Sequence, residues 1–262
     1  MGTTVAEIKR RLQEADEQEF AVLERSLVAD ARKGVRSAVE VARRRLAAER
    51  AERERLDGLY ALEERLMEER GASLCVGLDE VGRGPVAGPL AVGAVVLPRE
   101  PRIAGLNDSK QVAPAERERI AAEVKRVALA WAVEYASPHD IDTLGMSACL
   151  RRAFSAAVRK IEEAGVRPGL ILLDGNPLHL DERECNLVKG DARCASIAAA
   201  SIVAKVERDA LMERLDAQYP GYGFASNKGY ASADHVEAIK QRGLTPVHRA
   251  SFCTSFAQQS LF

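Results

Sequence analysis

The chain has 262 residues, 38 Lys plus Arg against 39 Asp plus Glu, and a formal net charge of −1. That length suits one large α/β domain, or a core of roughly 190 residues with an appendage, and the even charge balance excludes a globally basic polyanion binder, so any nucleic-acid surface has to be local. Five scattered cysteines (Cys75, Cys149, Cys185, Cys194, Cys253) without a C-x-x-C pair argue against a disulfide framework and a thiolate zinc site, and for a reducing, cytoplasmic setting.

The opening MGTTVAEIKRRLQ holds no signal-peptide apolar region, and Ala6 stands where a lipid-attachment signal expects Ser or Thr. The most apolar run, AGPLAVGAVVLP, is short and broken by glycine and proline, so a soluble chain with no membrane partner is expected. Residues 1–70 are rich in both charges and free of proline, which predicts a helical extension. VAEIKRRL and FAVLERSLV space their apolar residues three or four apart, and the stretch from Val35 to Leu66 reads as one long or once-broken helix. It is a solvated arm, or else a phosphate-contacting one, because Arg32, Lys33, Arg36, Arg43, Arg44 and Arg45 face only Glu40 within their own window.

From Ser73 onward, apolar runs bounded by glycine and proline alternate with helical patterns, predicting an α/β catalytic domain over 71–262. Expected strands are SLCVGLD, LAVGAVVL, LAWAVEYA and GLILLDG, with CNLVKGD a weaker one. Helices are expected over APAERERIAAEVKR, LGMSACLRRAFSAAVRKIEEAG, ASIAAASIVAKVERDALMERLDAQ and SADHVEAIKQRG. The hairpin-like first pair of strands, followed by helix and strand, predicts a mixed sheet.

Asp79 and Asp174 both end apolar strands, where open α/β sheets place ligand sites and where a buried acid needs a cation, a hydrogen bond or solvent. Asp191 precedes a small-residue helix, a position that also suits a simple N-cap. Glu80 adjoins Asp79, but neighbours in a strand point to opposite faces, so the pair is expected to converge only if the strand ends there and Gly82 and Gly84 turn the chain. Four carboxylates without histidine or cysteine suit Mg²⁺ or Mn²⁺ rather than zinc. Two such ions about 4 Å apart would favour phosphodiester hydrolysis. Ser201 and Lys205 share a helix face, as phosphate contacts or as a core serine with a snorkelling lysine. The four histidines lack metal-ligand spacing. Tyr219, Tyr222, Phe224, Lys228 and Tyr230 lie in a glycine-rich stretch that could stack on nucleic acid or pack as a tight turn.

Taken together, GLDEVGRGPVAGP, LNDSK, LLDGN, KGDARCASIAAASIVAKVERD and YGFASNKGY resemble the ribonuclease HII family, and residues 1–70, with DARKGV, resemble the N-terminal extension of its longer bacterial members. The resemblance implies a ribonuclease H-like mixed five-stranded sheet with flanking helices and a helical C-terminal region. It implies two-metal cleavage of the RNA strand of RNA/DNA hybrids and 5′ of single ribonucleotides in duplex DNA, leaving 3′-hydroxyl and 5′-phosphate ends, by a monomer. On matching positions, Asp79, Glu80, Asp174 and Asp191 become the metal-binding catalytic acids. Gly82, Arg83 and Gly84 become the turn that reads the ribose hydroxyl and adjoining phosphate, and Tyr230 the residue that distorts the junction. Lys110, Ser201 and Lys205 are carried over as phosphate contacts. Gly145 stands where related sequences often carry asparagine, which puts one DNA-strand contact in question. A catalytically silent binding module of the same fold is the alternative.

Overall fold

The computed structural model describes residues 3–257; Met1 and Gly2, on which the lipid-anchor expectation partly falls, lie outside them. The chain divides into two compact units, Met1–Asp57 and Gly58–Phe262.

Three helices account for the first unit: α1 (Val5–Glu14), α2 (Glu17–Leu27) and the opening part of α3 (Lys33–Arg70), which is one unbroken helix of 38 residues. A capping box, Asp16 with Glu19, starts α2 and forces the chain to begin a new helix two residues after α1 stops. Ile8, Leu12, Phe20, Leu23, Val35 and Leu46 form its core. The basic run of α3 is largely occupied within the unit. Arg32 forks onto Asp30, Arg43 pairs with Glu24 and Glu40, and Arg45 donates to the Ala15 carbonyl at 2.6 Å while pairing with Glu49. Counting charges inside one window missed Asp30, Glu24 and Glu49, which tertiary packing and helical spacing bring up.

In the second unit a five-stranded sheet runs in the order β3-β2-β1-β4-β5, with β1 (Cys75–Val81), β2 (Leu90–Val96), β3 (Ala130–Ala136), β4 (Leu170–Asp174) and β5 (Glu184–Leu187). The pairs β1/β2 and β2/β3 are antiparallel, whereas β1/β4 and β4/β5 are parallel, giving the expected mixed sheet. Helices α4 (Pro114–Val127), α5 (Pro138–Leu144), α6 (Met146–Glu163) and α7 (Ala195–Gln218) surround it, followed by α8 (Phe224–Asn227), α9 (Ala233–Arg242) and α10 (Thr254–Ala257). The expected helix from Leu144 starts instead at Met146, because Gly145 takes φ +79° and ψ 157° and separates it from α5, which ends on Leu144. A capping box between Ser137 and Asp140, not anticipated from the sequence, starts α5.

Strand alternation sorts the sheet into two faces. Val76, Leu78, Val92, Ala94 and Val96 pack with Leu150, Phe154, Ala157 and Ile161 of α6. Gly77 and Gly93 face α7 instead, so closely that a Cβ on Gly77 would lie 2.1 Å from the Ser196 carbonyl carbon and one on Gly93 2.4 Å from the Ala200 oxygen. The alanines of α7 and these two glycines let helix and sheet backbones approach directly. That contact brings the start of α7 against the ends of β1 and β4.

Candidate active site

Asp79 and Glu80 lie near the carboxyl end of β1, Asp174 ends the neighbouring β4, and Asp191 lies in the turn before α7. Asp79 lies two residues beyond Gly77, hence on the α7 face, and it is buried. Its Oδ1 accepts the Glu80 N–H at 2.7 Å. Burial pushes the Asp79 carboxyl well above its ordinary range, and the charges of Glu80 and Asp174 push it further.

Glu80 overturns one expectation. Strand β1 does not end at Asp79 but continues to Val81, with Glu80 in register with Val92, so alternation persists and the two neighbours stay on opposite faces. Arg83 draws the Glu80 carboxylate outward through an ion pair of 3.1 Å. Burial raises the Glu80 carboxyl, Arg83 lowers it, and Asp174 raises it again.

Asp174 is the acid that the other three all feel. It ends β4, beside the end of β1, and its Oδ1 accepts the backbone N–H of Gly190 at 2.6 Å. Asp191 therefore hangs from the same turn that Asp174 holds. It lies in a 3₁₀ turn over Gly190–Ala192 and is not the N-cap of α7, a position taken by Cys194 without a side-chain bond. Its carboxyl is raised by burial, then by Asp174 and Asp108, and lowered by Lys110.

The expected contact residues behave differently from one another. Lys110 sits close enough to influence Asp191. Ser201 is buried and donates to Ser109 Oγ at 3.0 Å, so it is not open to a phosphate. Lys205 is paired with Asp209 at 2.8 Å. Tyr230 is half exposed, and its ring would touch a Cβ placed on Gly84 at 3.6 Å, which brings it to the 82–84 turn. Tyr222 and Phe224 instead stack on each other in the core against His235 and His248, so these two aromatics pack rather than face a substrate.

Three features escaped the sequence reading. Glu63 of α3 is buried and accepts from the Ser196 N–H and from Cys194 Sγ, capping α7 from outside its own chain segment. A glutamate on the apolar face formed by Leu59, Leu62 and Leu66 was the available signal. Arg208 and Arg249 are fully buried, and their hydrogen bonds go to backbone carbonyls: Ala87, Pro89 and Lys228 for the first, Gly82, Arg83 and Gly88 for the second. No spacing rule marks such a role.

Clustered, partly desolvated carboxylates with only Arg83 and Lys110 to offset them are the donor chemistry that hard divalent cations fit. Among the described residues, no three Asp, Glu, His or Cys side chains are drawn into a closed metal cage. A cleft of about 460 Å³ between β3, α5 and α6 includes none of the four acids.

An acidic cluster at the strand ends of this sheet order defines a ribonuclease H-like nuclease. The family model for ribonuclease HII matches residues 76–255, and that for the ribonuclease HII N-terminal domain matches residues 4–67. The chain is 40% identical to a ribonuclease HII of Anaeromyxobacter sp. over 95% of its own length and 78% of the relative's. With that of Moorella thermoacetica it shares 48% identity, over 77% of this chain and 96% of the relative. Among solved structures it resembles the ribonuclease H2 of Pyrococcus horikoshii, with a TM-score of 0.61 and 27% identity over 71% of this chain and 98% of that one. It also resembles a ribonuclease HIII solved with Mn²⁺ (Bst-RNase HIII), with a TM-score of 0.55 and 25% identity over 71% and 70% of the two chains. The chain belongs to the ribonuclease HII family and is a ribonuclease H, an endoribonuclease of RNA/DNA hybrids. Membership sets aside the silent-module alternative. No helix among the described residues is long and apolar enough to cross a membrane.

Proposed function

We propose that this endoribonuclease also cuts 5′ of single ribonucleotides embedded in duplex DNA, leaving 3′-hydroxyl and 5′-phosphate ends, and that it serves ribonucleotide removal. Asp79, Glu80, Asp174 and Asp191 are the metal-binding acids of this reading. The observation that carries it is that Asp79, Glu80 and Asp191 all lie within the electrostatic reach of Asp174, with the 82–84 turn and Tyr230 beside Glu80. Two Mn²⁺ or Mg²⁺ ions, when bound, would supply an activated water and neutralise charge at the leaving oxygen.

The residues of the chain divide the remaining work. Asp79 offers one ligand position on the α7 face, and Asp174 fixes the turn that presents Asp191. Arg83 pairs with Glu80, so a sugar read at the turn is tied directly to a catalytic acid. The ribose 2′-hydroxyl distinguishes RNA from DNA, and small residues at 82 and 84 let backbone approach it. Lys110 contributes positive charge near Asp191, suited to a phosphate there. Residues 1–70 form an arm that aids substrate binding more than chemistry.

Cleavage of a labelled duplex containing one ribonucleotide, compared with a uniform hybrid and with the Asp174→Asn variant, with and without Mn²⁺ or Mg²⁺, tests the proposal. Metal-dependent cutting on the 5′ side, lost in the variant, is expected. Metal-independent cutting, a 3′ cut or full activity of the variant would overturn it.

A further inference from the structure

The buried Arg249 stands outside the acidic cluster, yet it holds the turn assigned to ribose recognition. We propose that Arg249 is a positioning residue that sets the geometry of the 82–84 turn and with it the preference for a ribose; this rests on the reading of that turn given above. Its guanidinium donates to Gly82 O at 2.6 Å, to Arg83 O at 3.0 Å and to Gly88 O at 2.8 and 3.0 Å. Three carbonyls on two sides of one bend are thus gathered onto a single planar fork.

The consequence follows from peptide geometry. In a trans peptide the C=O of one residue and the N–H of the next point in opposite directions. Fixing the Gly82 and Arg83 carbonyls inward therefore directs the N–H groups of Arg83 and Gly84 outward, towards the side where a substrate oxygen would lie. Gly82 adopts φ +92°, and a Cβ there would lie 2.3 Å from Arg208 Nε, so the turn is built onto the arginine pair and has no room to settle elsewhere.

Arg249 is in turn held in place. The Arg249 N–H donates to Val86 O at 2.8 Å, and its guanidinium lies 5.3 Å from the Phe252 ring centre. Asp142, at the end of α5, accepts from the N–H groups of Ala250 and Ser251, fastening the following residues from outside. Lysine cannot reproduce this, because an ammonium is a point charge on a flexible stem and cannot span carbonyls placed for a fork.

Binding is measured in EDTA for two duplexes that differ only by one ribonucleotide, and cleavage of the ribonucleotide duplex is measured in Mn²⁺, for Arg249→Lys, Asp142→Ala and Gly84→Val. Arg249→Lys is expected to narrow the ribonucleotide preference and lower kcat by about tenfold each, with the all-DNA affinity within about twofold of the parent. Asp142→Ala, at the protein periphery, should shift the preference in the same direction by a smaller factor, and it decides the matter if the lysine variant does not fold. A preference unchanged in folded Arg249→Lys and in Asp142→Ala overturns the inference, leaving Arg249 as structural support alone. Loss of preference in Gly84→Val, which puts a branched side chain beside the outward N–H groups of the turn, together with its retention in the other two also overturns it while preserving the reading of the turn. An unchanged preference in Gly84→Val overturns that reading, and the inference with it.

Discussion

Asp174 Oδ1 accepts the N–H of Gly190 at 2.6 Å, so one acid of the cluster holds the turn that carries another. Asparagine can keep this bond through its amide oxygen while losing the charge. Asp174→Asn should therefore fold with a near-parental Tm yet lose metal-dependent cleavage by at least about 100-fold. Asp174→Ala should be inactive and also less stable by about 1–3 kcal/mol, since the Gly190 N–H loses its acceptor. Paired melting and cleavage assays separate the two effects, and equal stabilities for the two variants would contradict the clamp.

Glu63 meets two opposing demands. Its carboxylate caps the start of α7, but burial raises its carboxyl above the usual range. A raised folded value means that the folded chain holds the proton more tightly than the unfolded one, so the glutamate costs stability as pH climbs above 4.5. Glu63→Gln, which retains an acceptor for Ser196, should gain stability relative to the parent between pH 5 and about 8. Glu63→Ala should lose about 1–3 kcal/mol. Urea titrations across that range check both signs.

Close approach of α7 to the sheet makes two glycine substitutions opposite in outcome. Gly77→Ala would drive a methyl group to 2.1 Å from the Ser196 backbone and should cost about 3 kcal/mol or prevent folding. Gly58→Ala, in the interior of α3 with nothing within 4 Å of the new methyl, should stabilise by about 0.5–1 kcal/mol. Thermal melts of the two proteins test the packing directly.

His235 and His248 form a chain with one consistent set of protons. His235 Nδ1–H donates to the Tyr230 carbonyl at 2.7 Å, His248 Nε2–H donates to His235 Nε2 at 3.1 Å, and His248 Nδ1 accepts from the Thr245 N–H at 2.9 Å. A further proton on either ring would set two N–H groups against each other. Burial lowers both rings, and burial together with the neighbouring His235 brings His248 from 6.5 to about 4. The neutral pair thus contributes stability that is present above pH 6.5 and is lost as pH falls towards 4. The Tm should drop across that window in the parent and less steeply in His248→Gln. Parallel pH profiles would rule the pair out as the source.

Much of this was legible in the sequence. Apolar runs closed by acids identified β1 and β4, since a carboxylate at the end of a buried strand is costly without a purpose. Small-residue spacing identified α7, and composition identified the helical extension, although contacts divide the chain within α3 after Asp57 and not at residue 70. Local signals carried these because they depend on neighbours three or four residues away.

What tertiary structure decided depends on contacts over long separations. Only packing shows that Asp174 holds the turn of Asp191 and that Glu63 caps a helix 133 residues further on. Arg249 reaches Gly82 across 167 residues. A buried guanidinium satisfied by carbonyls leaves no pattern in the residues it binds, because every residue has a carbonyl. The order of residues therefore determined which acids and glycines the site contains, and the fold determined what holds them in place.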